Sequence, residues 1–143
     1  MNGMAGQMCR EDNAMGYQNL IFDKESVFLV TGGAGFIGSN LCEAVLNMGY
    51  KVRCLDNLST GKYENIEPFT QNPRFTFIKG DIRDLDSLMK CMQAMQPEIV
   101  IHMAAQPIVR ESYKKPVYTY DVNVMGTVNI LECVRMTDSV RSF

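Results

Sequence analysis

The sequence predicts an α/β fold in which a parallel sheet is wound on both faces by helices. Short runs rich in β-branched residues and almost wholly apolar suit strands covered on both sides, and they alternate along the chain with stretches whose apolar residues recur at helical spacing. The first such run also empties into a cluster of glycines just before a helix pattern begins, as a strand-to-helix join in this fold class requires. The 143 residues are enough for one domain with a real core. Residues 1–25 stand outside the pattern: they are polar and rich in Gly and Met, and are expected to form an arm that is disordered or carries a short helix around Ala14 to Ile21. Residues 26–143 are expected to form the domain.

Taken in order, "SVFLVTGG" from Ser26 reads as a buried strand. Ile37, Leu41, Ala44, Val45 and Met48 then mark a helix, with Gly49 where a C-terminal cap belongs. "KVRCLD" is a second strand, "NLSTGKYENIEPFTQNP" a polar loop, and "RFTFIKGD" a third strand. Asp84 is placed to cap the next helix, whose Leu85, Leu88, Met89, Met92 and Met95 form a core-facing stripe. "PEIVIHMAA" is a fourth strand. Pro116 suits the first turn of a long helix with Val117, Tyr120, Val124, Val128, Leu131 and Val134 on its apolar side, and the closing "VRSF" reads as the start of a fifth strand. Right-handed crossovers give strand order 3-2-1-4, with ligands expected beyond the carboxyl ends of strands 1 and 4.

Composition narrows the function classes. No apolar run approaches the roughly 20 residues of a membrane helix, so no membrane partner is expected. A net charge of −2 without a clustered Lys/Arg tract leaves no footprint for nucleic acid. The five cysteines (Cys9, Cys42, Cys54, Cys91, Cys133) are odd in number and lack any C-x-x-C pair, which argues against a disulfide framework or a metal site. Reduced, buried thiols in a cytoplasmic protein are the expectation, and the N-terminus carries no secretory pattern.

Chemistry concentrates in "FLVTGGAGFIGSN". Gly32, Gly35 and Gly38 allow a tight turn off the strand, close approach of a pyrophosphate and a helix packed against the sheet, and the helix N-terminus offers its N–H groups to phosphate. About 20 residues on, Asp56 ends the second strand, as the dinucleotide fingerprint demands. A carboxylate there accepts from ribose hydroxyls and repels a 2′-phosphate, which favours NAD over NADP. His102 is the single histidine and, on a buried strand with no carboxylate or cysteine pattern around it, reads as a structural hydrogen-bonding residue.

"TGGAGFIGSN", "LDNLSTG", "GDIRD", "HMAA" and "DVNVMGT", in this order, resemble the extended short-chain dehydrogenase/reductase superfamily, in particular its NAD-dependent nucleotide-sugar epimerases and dehydratases. The resemblance runs from about Val27 to the last residue and implies a Rossmann-like doubly wound sheet, with NAD as cofactor and a nucleotide sugar as substrate. It also admits a homodimer. It implies that Gly32, Gly35, Phe36, Ile37 and Gly38 bind the cofactor, that Asp56 and Asn57 hold the adenosine ribose, and that Ser59, Thr60 and Gly61 lie beside its phosphate. Asp81 and Ile82 would flank the adenine, the acidic side chain accepting from its amino group. Ala104, Ala105 and Gln106 would line the nicotinamide half, Asn123 would order the site's interior, and Glu111, Ser112 and Tyr113 would lie in a loop that can face the sugar.

The family's Tyr-x-x-x-Lys pair, in which lysine lowers the phenol pKa for proton abstraction, has no counterpart: none of the six tyrosines has Lys four positions later. No catalytic residue and no metal ligand is therefore assigned. The chain is expected to be the cofactor half of such an enzyme, truncated within strand 5 and without its sugar-nucleotide domain. The dinucleotide half looks like UDP-sugar 4-epimerases and the stretch after Pro97 like CDP-glucose 4,6-dehydratases. The epimerase is the first reading, the dehydratase the second, and a stand-alone NAD-binding module the third.

Overall fold

The computed structural model describes residues 22–143; the arm up to residue 21, with its expected helix and Cys9, lies outside the described residues. Four parallel strands, β1 (Val27–Thr31), β2 (Lys51–Asp56), β3 (Phe75–Lys79) and β4 (Ile99–His102), pair in the order β3-β2-β1-β4, as the crossovers predict. Beyond β4, Ser142 bridges in parallel to Ile99, and its carbonyl accepts from Val100 N at 3.0 Å. The closing residues therefore touch the sheet on that edge through one isolated bridge.

Alternation along each strand divides the core into two layers. Leu29, Leu55 and Val100 face one side, where they pack with Leu88 and Met92 of α2 (Leu85–Met95) and with Ile130 and Cys133 further on. Their neighbours Val30, Val52 and Cys54 face the other side, against Cys42, Val45 and Leu46 of α1 (Phe36–Asn47). Each fully buried Leu or Met stabilises by about 1.5–3 kcal/mol, so this division is what drives both helices onto the sheet. Asp84 caps α2, accepting from Ser87 N at 3.0 Å, and the Met stripe is core: Met92 is wholly buried, with Met89 and Met95 packed at its margin. Cys42, Cys54 and Cys133 are buried free thiols. Among the described residues no helix is long and apolar enough to cross a membrane.

Three expectations need correction. Residues 22–25, assigned to the arm, form a turn tied to the sheet: Ser26 N donates to Asp23 O at 2.9 Å, and Glu25 pairs with Lys51 at 2.6 Å and Arg74 at 2.9 Å. The segment after β4, read as a loop, contains α3 (Val109–Lys114), which buries no residue and so has no apolar period to read. The largest correction concerns the long helix. It does start at Pro116, as α4 (Pro116–Tyr120), but passes through a π-helical turn, Asp121–Met125, into α5 (Gly126–Arg135). Most of its expected apolar side faces outward, with Val117 82% and Tyr120 69% exposed and Val124, Val128 and Leu131 near half; of that set Val134 packs against the core. The side that packs is Val122, Gly126, Ile130 and Cys133. Both sets recur at helical spacing, but only the second presents a glycine, Gly126, that lets the helix lie close against Ile82.

Candidate functional site

At the carboxyl ends of the strands lies a cleft of about 300 Å³. Its floor is the turn that follows Thr31. Gly32, at φ +69°, turns the chain, Gly35 N donates back to Gly32 O at 3.1 Å, and Gly35 is the N-cap of α1. That N-cap has no side-chain partner, and the first turn of α1 carries no acidic residue. The first amides of an α-helix have no intrahelical acceptor, so this terminus is left with donors and the positive end of the helix dipole facing the cleft.

Asp56 forms the opposite edge. It is 7% exposed; its Oδ2 accepts from Ala34 N at 3.0 Å and its Oδ1 from Leu58 N at 2.7 Å. One carboxylate thus joins the glycine turn to the loop after β2. Ala34 is tied again at its carbonyl, which accepts from Lys62 N at 3.0 Å and Asn65 Nδ2 at 2.8 Å. Ala34 is wholly buried, and no sequence signal marked it. Leu58 sits at φ +60°, a left-handed conformation that the Asp56 bond holds in place.

Of the residues singled out from sequence, Gly32, Gly35, Phe36, Ile37 and Gly38 line the cleft on the α1 side, and Asp56, Asn57, Ser59, Thr60 and Gly61 line it beyond β2. Ile82, Ala104 and Ala105 complete it, together with Leu55, Gly80, Met103, Pro107 and Val122, which sequence reading did not single out. Three residues stand behind this wall. Asp81 accepts from Arg83 Nη2 at 2.7 Å, Arg83 Nε at 3.0 Å and Asn57 Nδ2 at 3.0 Å. The Arg83 guanidinium holds its carboxyl far below the usual carboxylate range, and Asp81 in turn raises Arg83. Gln106 is buried, with Nε2 donating to Thr119 Oγ1 at 3.0 Å and Oε1 accepting from Ile108 N at 2.6 Å. Asn123, in the π-helical turn, clasps the Gln106 backbone: Oδ1 accepts from its N at 2.7 Å and Nδ2 donates to its O at 3.1 Å. The Glu111, Ser112 and Tyr113 positions fall on α3, where Tyr113 is 84% exposed, outside the cleft lining.

α5 reaches the cleft through Ile82. A Cβ on Gly126 would come within 2.5 Å of Ile82 Cδ1, and Asn129 Nδ2 donates to Ile82 O at 3.0 Å. Gly126→Val therefore pushes Ile82 into the cleft at a cost of about 1–3 kcal/mol. The expected result is a lower midpoint in denaturant titration together with weaker ligand binding in the cleft. A shift in stability with binding unchanged would show that Ile82 yields elsewhere.

The profile of the family described as GDP-mannose 4,6 dehydratase matches residues 29–143. A putative UDP-glucose 4-epimerase of Methanocaldococcus jannaschii is 48% identical over 112 residues, covering 78% of this chain and 35% of that protein. The CDP-glucose 4,6-dehydratase of Salmonella typhimurium is 41% identical over 115 residues, covering 79% of this chain and 32% of its own length. Among solved structures, the Thermus thermophilus UDP-glucose 4-epimerase complex with NAD superposes with a TM-score of 0.72 at 40% identity, over 79% of this chain and 35% of the other. The chain thus spans about a third of the length of these relatives.

Proposed function

The chain belongs to the GDP-mannose 4,6-dehydratase family, and from that premise we propose that it is the NAD-binding portion of a nucleotide-sugar 4-epimerase. One observation carries the cofactor reading: a single cleft brings an uncapped helix N-terminus at Gly35 opposite the buried carboxylate of Asp56. The N–H groups of α1 bind the pyrophosphate. Asp56, a residue of the lining, accepts from the adenosine ribose hydroxyls and repels a 2′-phosphate. Ser59, Thr60 and Gly61 flank the adenosine phosphate, Ile82 lies against the adenine, and Ala104 and Ala105 form the wall on the nicotinamide side. Asp81 acts one layer back, holding Asn57 and Arg83 in place. Gln106 and Asn123 likewise brace the wall from behind.

NAD, when bound, supplies hydride acceptance at C4 of the hexose and its return to the opposite face. The residues here bind and orient it, and no proton-transfer role is assigned to any of them. The epimerase reading is supported by the likeness of the glycine turn and the "LDNLSTG" loop to UDP-sugar 4-epimerases and by the 48% identical relative. A 4,6-dehydratase is the second reading, favoured by the 41% identical relative and the segment after Pro97.

Calorimetric titration of the folded chain with NAD⁺ tests the site. Saturable heat is expected, with NADP⁺ binding at least about tenfold more weakly because its 2′-phosphate must approach Asp56. Background heat from folded protein sinks the cofactor assignment.

A further inference from the structure

Behind the cleft wall of Met103, Ala104 and Ala105 and beside the Gln106 that braces it, one imidazole is bonded at both ring nitrogens. His102 Nδ1 lies 2.6 Å from Thr31 Oγ1, and its Nε2 lies 3.1 Å from Thr127 Oγ1. The other bonds of the two hydroxyls decide which nitrogen carries the proton. Thr127 donates its one hydroxyl proton to Asn123 O at 2.7 Å, so towards His102 it can only accept, and Nε2 must be the N–H. Thr31 Oγ1, wholly buried at the end of β1, accepts from Ala104 N at 3.3 Å and, at 3.2 Å, from Met103 N, which also donates to Thr31 O at 3.0 Å. Its own proton therefore goes to Nδ1. Every donor in the chain of bonds has one direction only.

We propose that His102 is a positioning residue for the cleft wall: its neutral Nε2–H tautomer holds the wall through Thr31 at Ala104 and through Thr127 and Asn123 at Gln106, and protonation of the ring releases it and weakens NAD binding. The last clause rests on the NAD reading above; the rest concerns the chain alone. Asn123 completes the Gln106 end, since it donates to and accepts from that residue's backbone while its own carbonyl takes the Thr127 proton. Protonation adds a donor at Nδ1 facing a hydroxyl that already donates. The Thr31 proton must turn away, and one of its lone pairs is drawn from the Met103 and Ala104 amides.

The groups that face the imidazole are uncharged: Thr31 from β1, Thr127 from α5, and the Phe143 ring, stacked at 6.4 Å between centroids. The charged side chains of the packed elements lie at the surface, where Glu132 pairs with Arg135 and Glu98 with Arg141, and Asp138 is exposed. Burial pushes the His102 pKa down from 6.5. The neutral ring and its hold on the wall are therefore complete above the unfolded value and lost as pH falls through the folded one.

Two measurements test this. In amide spectra of the cofactor-free chain from about pH 8 to about pH 5, the Ala104 and Gln106 signals should titrate together with the His102 ring. In His102→Asn, which keeps an acceptor towards Thr31 but cannot titrate, neither should move. NAD⁺ calorimetry over the same range should show the parent losing about tenfold in affinity, and His102→Asn and His102→Gln giving flat profiles. Amides that stay still while the ring titrates overturn the proposal, as does a His102→Asn profile that falls like the parent's. The parent's amide titration needs no variant to fold. Absence of heat at every pH sinks the NAD reading, while the amides still decide the role of His102.

Discussion

Gly38→Ala melts roughly 10 °C or more below the parent chain and binds no NAD at concentrations that saturate the parent. Gly38 sits in the first turn of α1 and is buried. A Cβ there would land on the Gly32 carbonyl oxygen, with Gly33 Cα only 2.8 Å away. Both are backbone atoms of the turn that ends β1, so no side chain can swing aside. Overpacking of this kind costs about 1–3 kcal/mol where neighbours can shift, and the upper end or beyond applies where they cannot. Moving α1 away would also shear Cys42 and Val45 from Val30 and Val52, so stability and site are lost together. Gly35→Ala is the control: its Cβ would meet Gly32 O at 3.2 Å, a contact relieved by a small shift, and the melt should move by only a few degrees. Equal melting of the two variants would show that the close packing of α1 on the turn does not set the fold.

What the sequence made legible was whatever depends on neighbours in the chain. The strands, the glycine turn and the Asp84 cap are local patterns, and the parallel order followed because right-handed crossovers leave few alternatives. The cleft lining was legible for the same reason, since a carboxylate ending β2 and a turn ending β1 come together in any such sheet. The errors lie where a choice depended on partners distant in sequence. The helix from Pro116 is apolar on two sides, and only the fit of Gly126 against Ile82, far back in the chain, decides which side packs. Asp81 was expected beside the adenine, whereas its engagement by Arg83 depends on the fold around the turn. Gln106 and Asn123 were both singled out as site residues; that they clasp each other behind the wall is a tertiary contact across 17 positions with no periodic signature. His102 was read as structural, and its two bonds fit that, yet the direction of each bond emerged only from the hydroxyl partners.

Asp56→Ala should weaken NAD⁺ binding about 100-fold and NADP⁺ binding much less, with a loss of stability of about 2–4 kcal/mol. The two effects have separable causes. For the ligand, on the proposed NAD reading, the variant removes acceptors for the ribose hydroxyls, which harms NAD; it also removes the charge that repels a 2′-phosphate, which helps NADP and offsets part of the shared loss. For the fold, it leaves Ala34 N and Leu58 N without their acceptor, and a buried unpaired amide costs about 1–3 kcal/mol. Leu58 then has nothing to hold it at φ +60°, so the loop carrying Ser59, Thr60 and Gly61 relaxes away from the cleft. Asp56→Asn separates the causes. It keeps one oxygen for one of the two amides but turns an NH₂ towards the other, so it should lose about half the stability while losing all of the charge. Calorimetry with both nucleotides on both variants reads the comparison. If alanine and asparagine lower NAD and NADP affinity by the same factor, the carboxylate acts only as a brace for Ala34 and Leu58. If the NADP loss is the smaller in both, Asp56 is the group that discriminates between the nucleotides, and its two backbone bonds are what hold the carboxylate at the cleft edge where it can do so.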